Sequence, residues 1–308
     1  MNDIAHKLMV QDMLSAKFGS HQRLLCKTST QFPTQAEREY QRATNAYIRC
    51  LNELLKKYLP EIRDAARIER EANSRHDDTS DLLAKLGSIF DKMAVELERK
   101  TSSFGLYDKI EAMAHLTRKL SIREWKRAVK ATLGIDLMDD YYTGEIYREL
   151  MKKWVDENVD LIKTIPKDSL GKMREIVMEG YKKGETTTSI VKKMQRAYGM
   201  DRRHAQLLAR DQIAKLNGQI TQRQQQDAGV EEYIWSTSGD SRVREGHARL
   251  NGKRFRWDDP PVVDPKTGRR CHPGEDYQCR CVALAVFDKN TVDLPVAGWG
   301  GQSDNLPR

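Results

Sequence analysis

The chain has 308 residues, with 53 Lys and Arg against 45 Asp and Glu, a formal net charge of +8 and 39% hydrophobic residues. That length suits about two ordinary domains, and the basic balance favours polyanions as partners, although the two signs of charge are largely interspersed along the chain. No apolar run approaches the length that spans a bilayer, no signal-peptide h-region follows the N-terminus, and five cysteines without a paired framework point to a reducing compartment.

Residues 1–33 are expected as an N-terminal segment and linker. A short amphipathic helix over 1–20 carries Ile4, Leu8, Met9, Met13 and Leu14 on one side, and 19–33 read as linker, with Thr28-Ser-Thr before Phe32-Pro33. A helical arm or bundle is expected over 34–134. Thr34 with Glu37 three residues on has the capping-box spacing. Tyr40, Tyr47, Leu51, Leu54, Leu55 and Tyr58 then form an apolar stripe, which Pro60 ends or kinks. A polar turn is expected over 74–80. Leu82, Leu83, Leu86, Ile89, Phe90, Met93 and Leu97 recur at helical spacing. Two further helices are expected at about 108–120 and 121–133, stopped by Gly134. These stripes read as core rather than as a ligand pocket.

The next division expected is 135–288, made of helices over 143–227 and an α+β knob over 230–288. Pro166 is expected to end a helix that begins at Thr143 and carries Trp154 inward. Another follows over 169–181. Gly199 is expected to end a third, and the last runs from Asp201 to about Asp227. That last helix buries Leu207, Leu208, Ala209, Ile213, Leu216 and Ile220. Arg202, Arg203 and Arg210 on it, with Trp154, are candidate contacts to DNA or to a protein partner. Gln222 to Gln226 read as a solvated helix end, and 289–308 as a loosely ordered tail, in which Val292 to Trp299 offer a segment able to dock in a groove. The fold class is therefore α+β and predominantly α-helical: a helical N-terminal region, then a small C-terminal α+β domain with a short antiparallel sheet.

The chemistry concentrates in the knob. Tyr233 to Thr237 reads as a strand, Asn251-Gly252 as a tight turn, Lys253 to Trp257 as the strand after it, and Val282 to Phe287 as a third. Cys279 and Cys281, two apart, point to one face of an extended chain while Arg280 points to the other. With His247 they supply three of the four ligands of a closed zinc site, and Cys271 or His272 the fourth. Plain burial of the cysteines is the competing reading, since Cys is among the residues most often buried. Asp240 and Arg242 read as a turn with a fixed ion pair. Asp258-Asp259 read as a solvated acidic loop, the alternative being oxygen ligands for a divalent cation. Gly252 and Gly274 suit turns that need positive φ. No Walker loop, Gly-x-Ser-x-Gly or His-Glu-x-x-His is present, and the spacing of the zinc deaminases is absent.

The run Asp240-Ser-Arg-Val-Arg244, His247, Leu250-Asn-Gly252, Asp258-Asp-Pro260, His272-Pro-Gly274 and Cys279-Arg-Cys281 resembles the phage Mu F-like minor head proteins, also known as phage head morphogenesis proteins. The likeness continues upstream through Ile162-Lys-Thr-Ile-Pro166 and Ala209-Arg-Asp-Gln212. It marks Asp240, Arg242, Arg244, Gly252 and Arg280 as structural motif residues. Some relatives carry Cys where this chain has Arg244 and His247, which suits a metal there. Arg244 cannot ligate, so the resemblance leaves Cys271 or His272 to complete a structural zinc site here. What it implies is a non-enzymatic minor head protein of a tailed phage or prophage. Such a protein acts at the portal vertex in head assembly, DNA packaging or DNA ejection. Its expected partners are the portal protein, head or capsid proteins and double-stranded DNA, with no membrane. Its expected location is the virion, and the host cytoplasm during assembly. The alternative is a metal-dependent nuclease or other hydrolase built on His247, Cys279 and Cys281.

Overall fold

Apolar side chains recurring at three- and four-residue intervals make most of this chain helical. The computed structural model describes residues 2–28, 31–72, 80–138 and 144–296. The turn expected at 74–79, the helix start at Thr143 and the tail over 297–308 lie outside them. The helices are α1 Asn2–Phe18, α2 Thr34–Ala72, α3 Ser80–Ser102, α4 Leu106–Leu133, α5 Glu145–Lys182, α6 Thr187–Asp227 and the single turn α7 Glu245–Ala248. The strands are β1 Arg23–Leu25, β2 Glu232–Ser236, β3 Arg254–Arg256, β4 Val262–Asp264, β5 Arg269–Arg270 and β6 Val282–Asp288. The chain is predominantly helical α+β, with an antiparallel sheet ordered β1-β6-β2-β3 and a separate β4-β5 ribbon.

Two compact units divide the chain, each assembled from segments distant in sequence. One comprises 38–111 and 155–209. Its core is helical: Leu51, Leu54 and Ile62 of α2 meet Leu86, Phe90 and Met93 of α3, Met173 and Val177 of α5, and Ile190 and Met194 of α6. The approach of α5 to α6 is close, since a Cβ on Gly180 would lie 2.7 Å from Ile190.

The helices run longer than the local signals suggest. Pro60 lies inside α2, Pro166 inside α5 and Gly199 inside α6, and the two helices expected over 108–133 are one. An interior proline costs about 3 kcal/mol. Beyond Pro60, Ile62 and Ala66 remain on the buried stripe, each 2% exposed, and burying one isoleucine returns about 1.5–3 kcal/mol. Beyond Pro166, Leu170, Met173 and Val177 do the same. Tertiary burial overrides the local breaker.

The other unit comprises 1–37, 112–154 and 210–308. β2 is its central strand, paired with β6 through five residue pairs, Glu232↔Val286 to Ser236↔Val282. Tyr233 and Trp235 alternate inward on it and are fully buried. The expected linker contributes β1, which pairs Leu24 with Phe287 along the edge of β6; a three-residue strand carries too little alternation to be read from sequence. On α1 the buried face is not the expected apolar stripe. Val10 and Leu14 are buried, whereas Ile4, Leu8 and Met13 are exposed. His6 and Lys17 lie on the buried side and reach the carbonyls of Leu294 and Leu133, so that face is half polar. Residues 289–296, read as the start of a loose tail, are packed: Val292 and Leu294 are fully buried, and Leu137 bridges to Val296.

The glutamines of α6 are the largest departure. Gln224 and Gln225 are each 1% exposed, because they continue the face of Ile213, Leu216 and Ile220 by one more turn. The Gln225 amide donates to the Ala283 carbonyl at 2.9 Å and accepts the Trp257 indole N–H at 3.3 Å. The Ser121 hydroxyl donates to the Gln224 carbonyl oxygen at 3.2 Å. Gln225→Ala would leave a strand carbonyl and an indole N–H buried and unpaired, a loss of about 1–3 kcal/mol for each unsatisfied group. Urea denaturation should read a destabilisation of that order; a change below about 0.5 kcal/mol, the size of an ordinary surface substitution, would contradict this packing.

Candidate metal centre

β2 and the segment leading into β6 carry the site. The β2–β6 ladder fixes Trp235 opposite Ala283, which places Cys281 and Cys279 beside the Trp235 ring. Asn251-Gly252 turns the chain after α7, with Gly252 at φ 76° and its N–H on the Trp235 carbonyl at 2.8 Å. α7 then lies against β4. Gly246 makes that approach possible, since a Cβ there would sit 2.1 Å from the Val263 carbonyl oxygen. The result is His247 aimed at both cysteines.

His247 Nδ1 lies 3.5 Å from Cys279 Sγ and 3.5 Å from Cys281 Sγ. The ligand atoms of these three residues all fall within 4.8 Å of one another, and each residue is buried. This group can hold a metal ion. On the other side of the ring, His247 Nε2 lies 2.9 Å from Asp276 Oδ2. Asp276 also pairs with Arg244, with Arg269 at 3.2 Å, and with the Tyr277 N–H at 2.9 Å. Its side chain is 2% exposed. Burial alone would raise the Asp276 carboxyl, but His247, the Tyr277 N–H, Arg244 and Arg269 hold it below the usual carboxylate range. Burial likewise opposes the charged form of His247, yet Cys279 and Asp276 together raise it. The hydrogen bond with Cys281, then His247, pulls Cys279 down, while that bond and burial push Cys281 up. The Cys281 N–H faces Cys279 Sγ at 3.4 Å, and the Trp235 ring stands edge-on to His247 at 5.4 Å.

The other sequence candidates take separate places. Cys271 is buried outside the three-residue group, its thiol pushed up to about 12 by burial and by Asp276. His272 Nδ1 meets the Tyr233 hydroxyl at 2.9 Å, and burial lowers the ring's basicity. Neither belongs to the group of three whose ligand atoms all lie within 4.8 Å of one another. Asp240 accepts from the Arg242 backbone N–H and side chain, each at 3.0 Å, and from Arg280. The outward residue between the two cysteines therefore pins the loop that leads to α7. Asp258 pairs with Arg256 at 2.8 Å and Asp259 with Arg270, so these acids are neutralised by arginine.

The Ala209-Arg-Asp-Gln212 run on α6 is structural. Arg210 pairs with Glu37 at 3.3 Å. Asp211 accepts the N–H of Gln278 at 2.9 Å, a non-glycine residue at φ 50°. The Gln212 carbonyl accepts the indole N–H of Trp154 at 3.1 Å, and Trp154 is buried rather than a contact surface. Arg202 and Arg203 are exposed on α6, in the helical unit. Sequence reasoning missed Asp276 and Gly246. Asp276 stands in the Cys271-to-Cys279 run, and its one signal is a carboxylate within three residues of a candidate ligand.

Residues 171–284 match the model of a family described as Phage Mu protein F like protein. That stretch takes in the end of α5, all of α6 and the whole centre; Ile162 to Pro166 lie outside it. An uncharacterized protein of Haemophilus influenzae is 33% identical over 162 residues, which cover 53% of this chain and 35% of that protein. The chain thus spans about a third of that relative's length. Minor head protein GP7 of Bacillus phage SPP1 is 21% identical over 271 residues, 77% of this chain and 87% of GP7. No solved structure matches. Among the described residues no helix is long and apolar enough to cross a membrane.

A metal held here would tie α7 to the start of β6. Chelation of the purified protein should lower its melting temperature, by about 2–4 °C for each kcal/mol lost. Cys279→Ser and Cys281→Ser should each lower it and abolish the response to chelator. A wild-type melt unchanged by chelator would mean that no metal contributes to stability.

Proposed function

We propose, from the premise that residues 171–284 belong to the Phage Mu protein F-like family, that this chain is a minor head protein of a tailed phage or prophage. It acts at the portal vertex in head assembly, DNA packaging or DNA ejection. The observation that carries this reading is coverage: the alignment with a minor head protein takes in most of both chains. The fold agrees with an assembly part. Its partners on this reading are the portal and capsid proteins and double-stranded DNA, and it resides in the virion after assembly in the host cytoplasm. Arg202 and Arg203, exposed on α6, are the proposed polyanion contacts. Arg210 is engaged with Glu37 and is a weaker one.

The metal proposed for the centre is zinc, in a structural role. Zinc bound at about 2.0–2.1 Å to nitrogen and about 2.3 Å to sulfur with tetrahedral angles separates N from S by about 3.6 Å, against 3.5 Å from His247 Nδ1 to either sulfur. The donor set of two thiolates and one imidazole also suits zinc. Three protein ligands leave a position open, as in hydrolytic zinc sites, and this favours the competing hydrolase or nuclease reading. Burial weighs against it. His247, Cys279 and Cys281 are 4%, 4% and 7% exposed, whereas a scissile phosphate must reach the metal.

Quantitative mass spectrometry of purified particles against the portal and major capsid proteins tests the assembly reading. A low, reproducible copy number in DNA-filled heads is expected. Absence from both empty and filled heads would contradict it. A metal-dependent nuclease assay separates the alternative, which requires activity that His247→Ala abolishes in a folded protein.

A further inference from the structure

The centre has a second layer that the ligand count does not reveal. Asp276 is 5% exposed and 2% at its side chain. It accepts from Arg244, Arg269 and the Tyr277 N–H. An ionised carboxylate so engaged has only acceptor capacity. The ring nitrogen facing it, His247 Nε2 at 2.9 Å, must therefore be the donor. A neutral imidazole with its proton on Nε2 carries its lone pair on Nδ1, the atom equidistant from the two sulfurs. The tautomer follows from the partners around the ring. The Cys281 N–H approaches Cys279 Sγ at 3.4 Å. The Trp235 indole N–H, in the same buried cluster as both cysteines, makes no hydrogen bond in the fold.

We infer that Asp276 is a positioning residue of the metal centre: its carboxylate, clamped by Arg244 and Arg269, holds the His247 ring in the tautomer and orientation that make Nδ1 the metal ligand. This rests on the zinc reading and extends it to a residue that touches no metal. The clamp also balances charge. Zinc with two thiolates and a neutral imidazole is neutral, and Asp276 is matched by its two arginines, so no net negative charge is left buried. Carboxylate–histidine–metal arrangements of this kind typically set affinity, and losing the carboxylate costs about 10–100-fold.

The test measures zinc content by elemental analysis and affinity by competition with a chromophoric chelator, on the full chain. Wild type should bind one zinc, and Asp276→Asn should bind it about 10–100-fold more weakly while cobalt substitution still gives thiolate charge-transfer bands. Because Asp276 also serves two arginines, a cycle with His247→Cys separates positioning from general support. A cysteine ligand has no second N–H to hold, so Asp276→Asn should cost the His247→Cys variant little further affinity. Should Asp276→Asn fail to fold, Asp276→Glu keeps the charge for the arginines but displaces the carboxylate from Nε2. It is expected to lose affinity in wild type and not in the His247→Cys variant. A wild type without zinc overturns both this inference and the zinc reading. Zinc bound equally well by wild type and the Asp276 variants overturns this inference alone, and so does an equal loss in the wild-type and His247→Cys backgrounds.

Discussion

The buried carboxylate of Asp276 is the point on which the sheet-bearing unit closes. Its three side-chain partners come from two places along the chain: Arg244 and His247 at α7, and Arg269 in β5. Removing a carboxylate from water costs several kcal/mol, and the fold recovers this only where the remaining lone pairs are served. Here they are served by two guanidiniums, an imidazole and a backbone N–H. The arrangement is all or nothing in character. A carboxylate left with one partner missing would be a buried, partly compensated charge, so the three loops hold their places together.

α6 is the spine behind that closure. Within the unit its Asp211 takes the N–H of Gln278, and its Gln225 holds both β6 and Trp257. Gly218 lets the Pro273 carbonyl come within 3.0 Å of where a Cβ would stand. From Arg210 onward, α6 and the knob are thus one packed object. The family match is consistent with this, since it begins before α6 and ends within β6. A segment cut at the start of β2 would lose the polar groups that satisfy the sheet.

Element types were legible in the sequence, and element ends were not. Pro60, Pro166 and Gly199 carry strong local signals for a break, but the apolar stripes resume in phase beyond each one, and burial of Ile62, Leu170 and Ala205 outweighs the local cost. The phase of the stripe was the better indicator. Polar residues on a buried face were the other blind spot. His6, Gln224 and Gln225 interrupt an apolar pattern, and only the carbonyls that they meet explain them. In the centre, Cys279, Cys281 and His247 stood out because few residue types offer soft ligands at that spacing. Asp276 did not, being one of 45 acidic residues whose role depends on two arginines brought from elsewhere. Cys271 and His272 were the sequence's alternatives for a fourth ligand. They differ from the group of three because the chain between them and Cys279 turns at Gly274 and at Gln278, which sends His272 to Tyr233.

A metal at this point would do most for the stretch it encloses. His247 and Cys279 are 32 residues apart, and between them lie β3, β4 and β5, strands of three, three and two residues. A two-stranded ribbon such as β4–β5 is marginal by itself. The aromatic cluster of Tyr233, Trp257 and His272 anchors only its base. Closing a loop of that length removes roughly 3–4 kcal/mol of chain entropy from the unfolded state, by the relation used for disulfides. In a reducing compartment a disulfide would not persist, whereas two thiolates and an imidazole still form a cross-link when they bind a metal. A metal bound at the centre would therefore close this loop. The centre's burial, which argues against turnover of a polymer substrate, is what a cross-link requires: exclusion of water from the bonds that hold the chain.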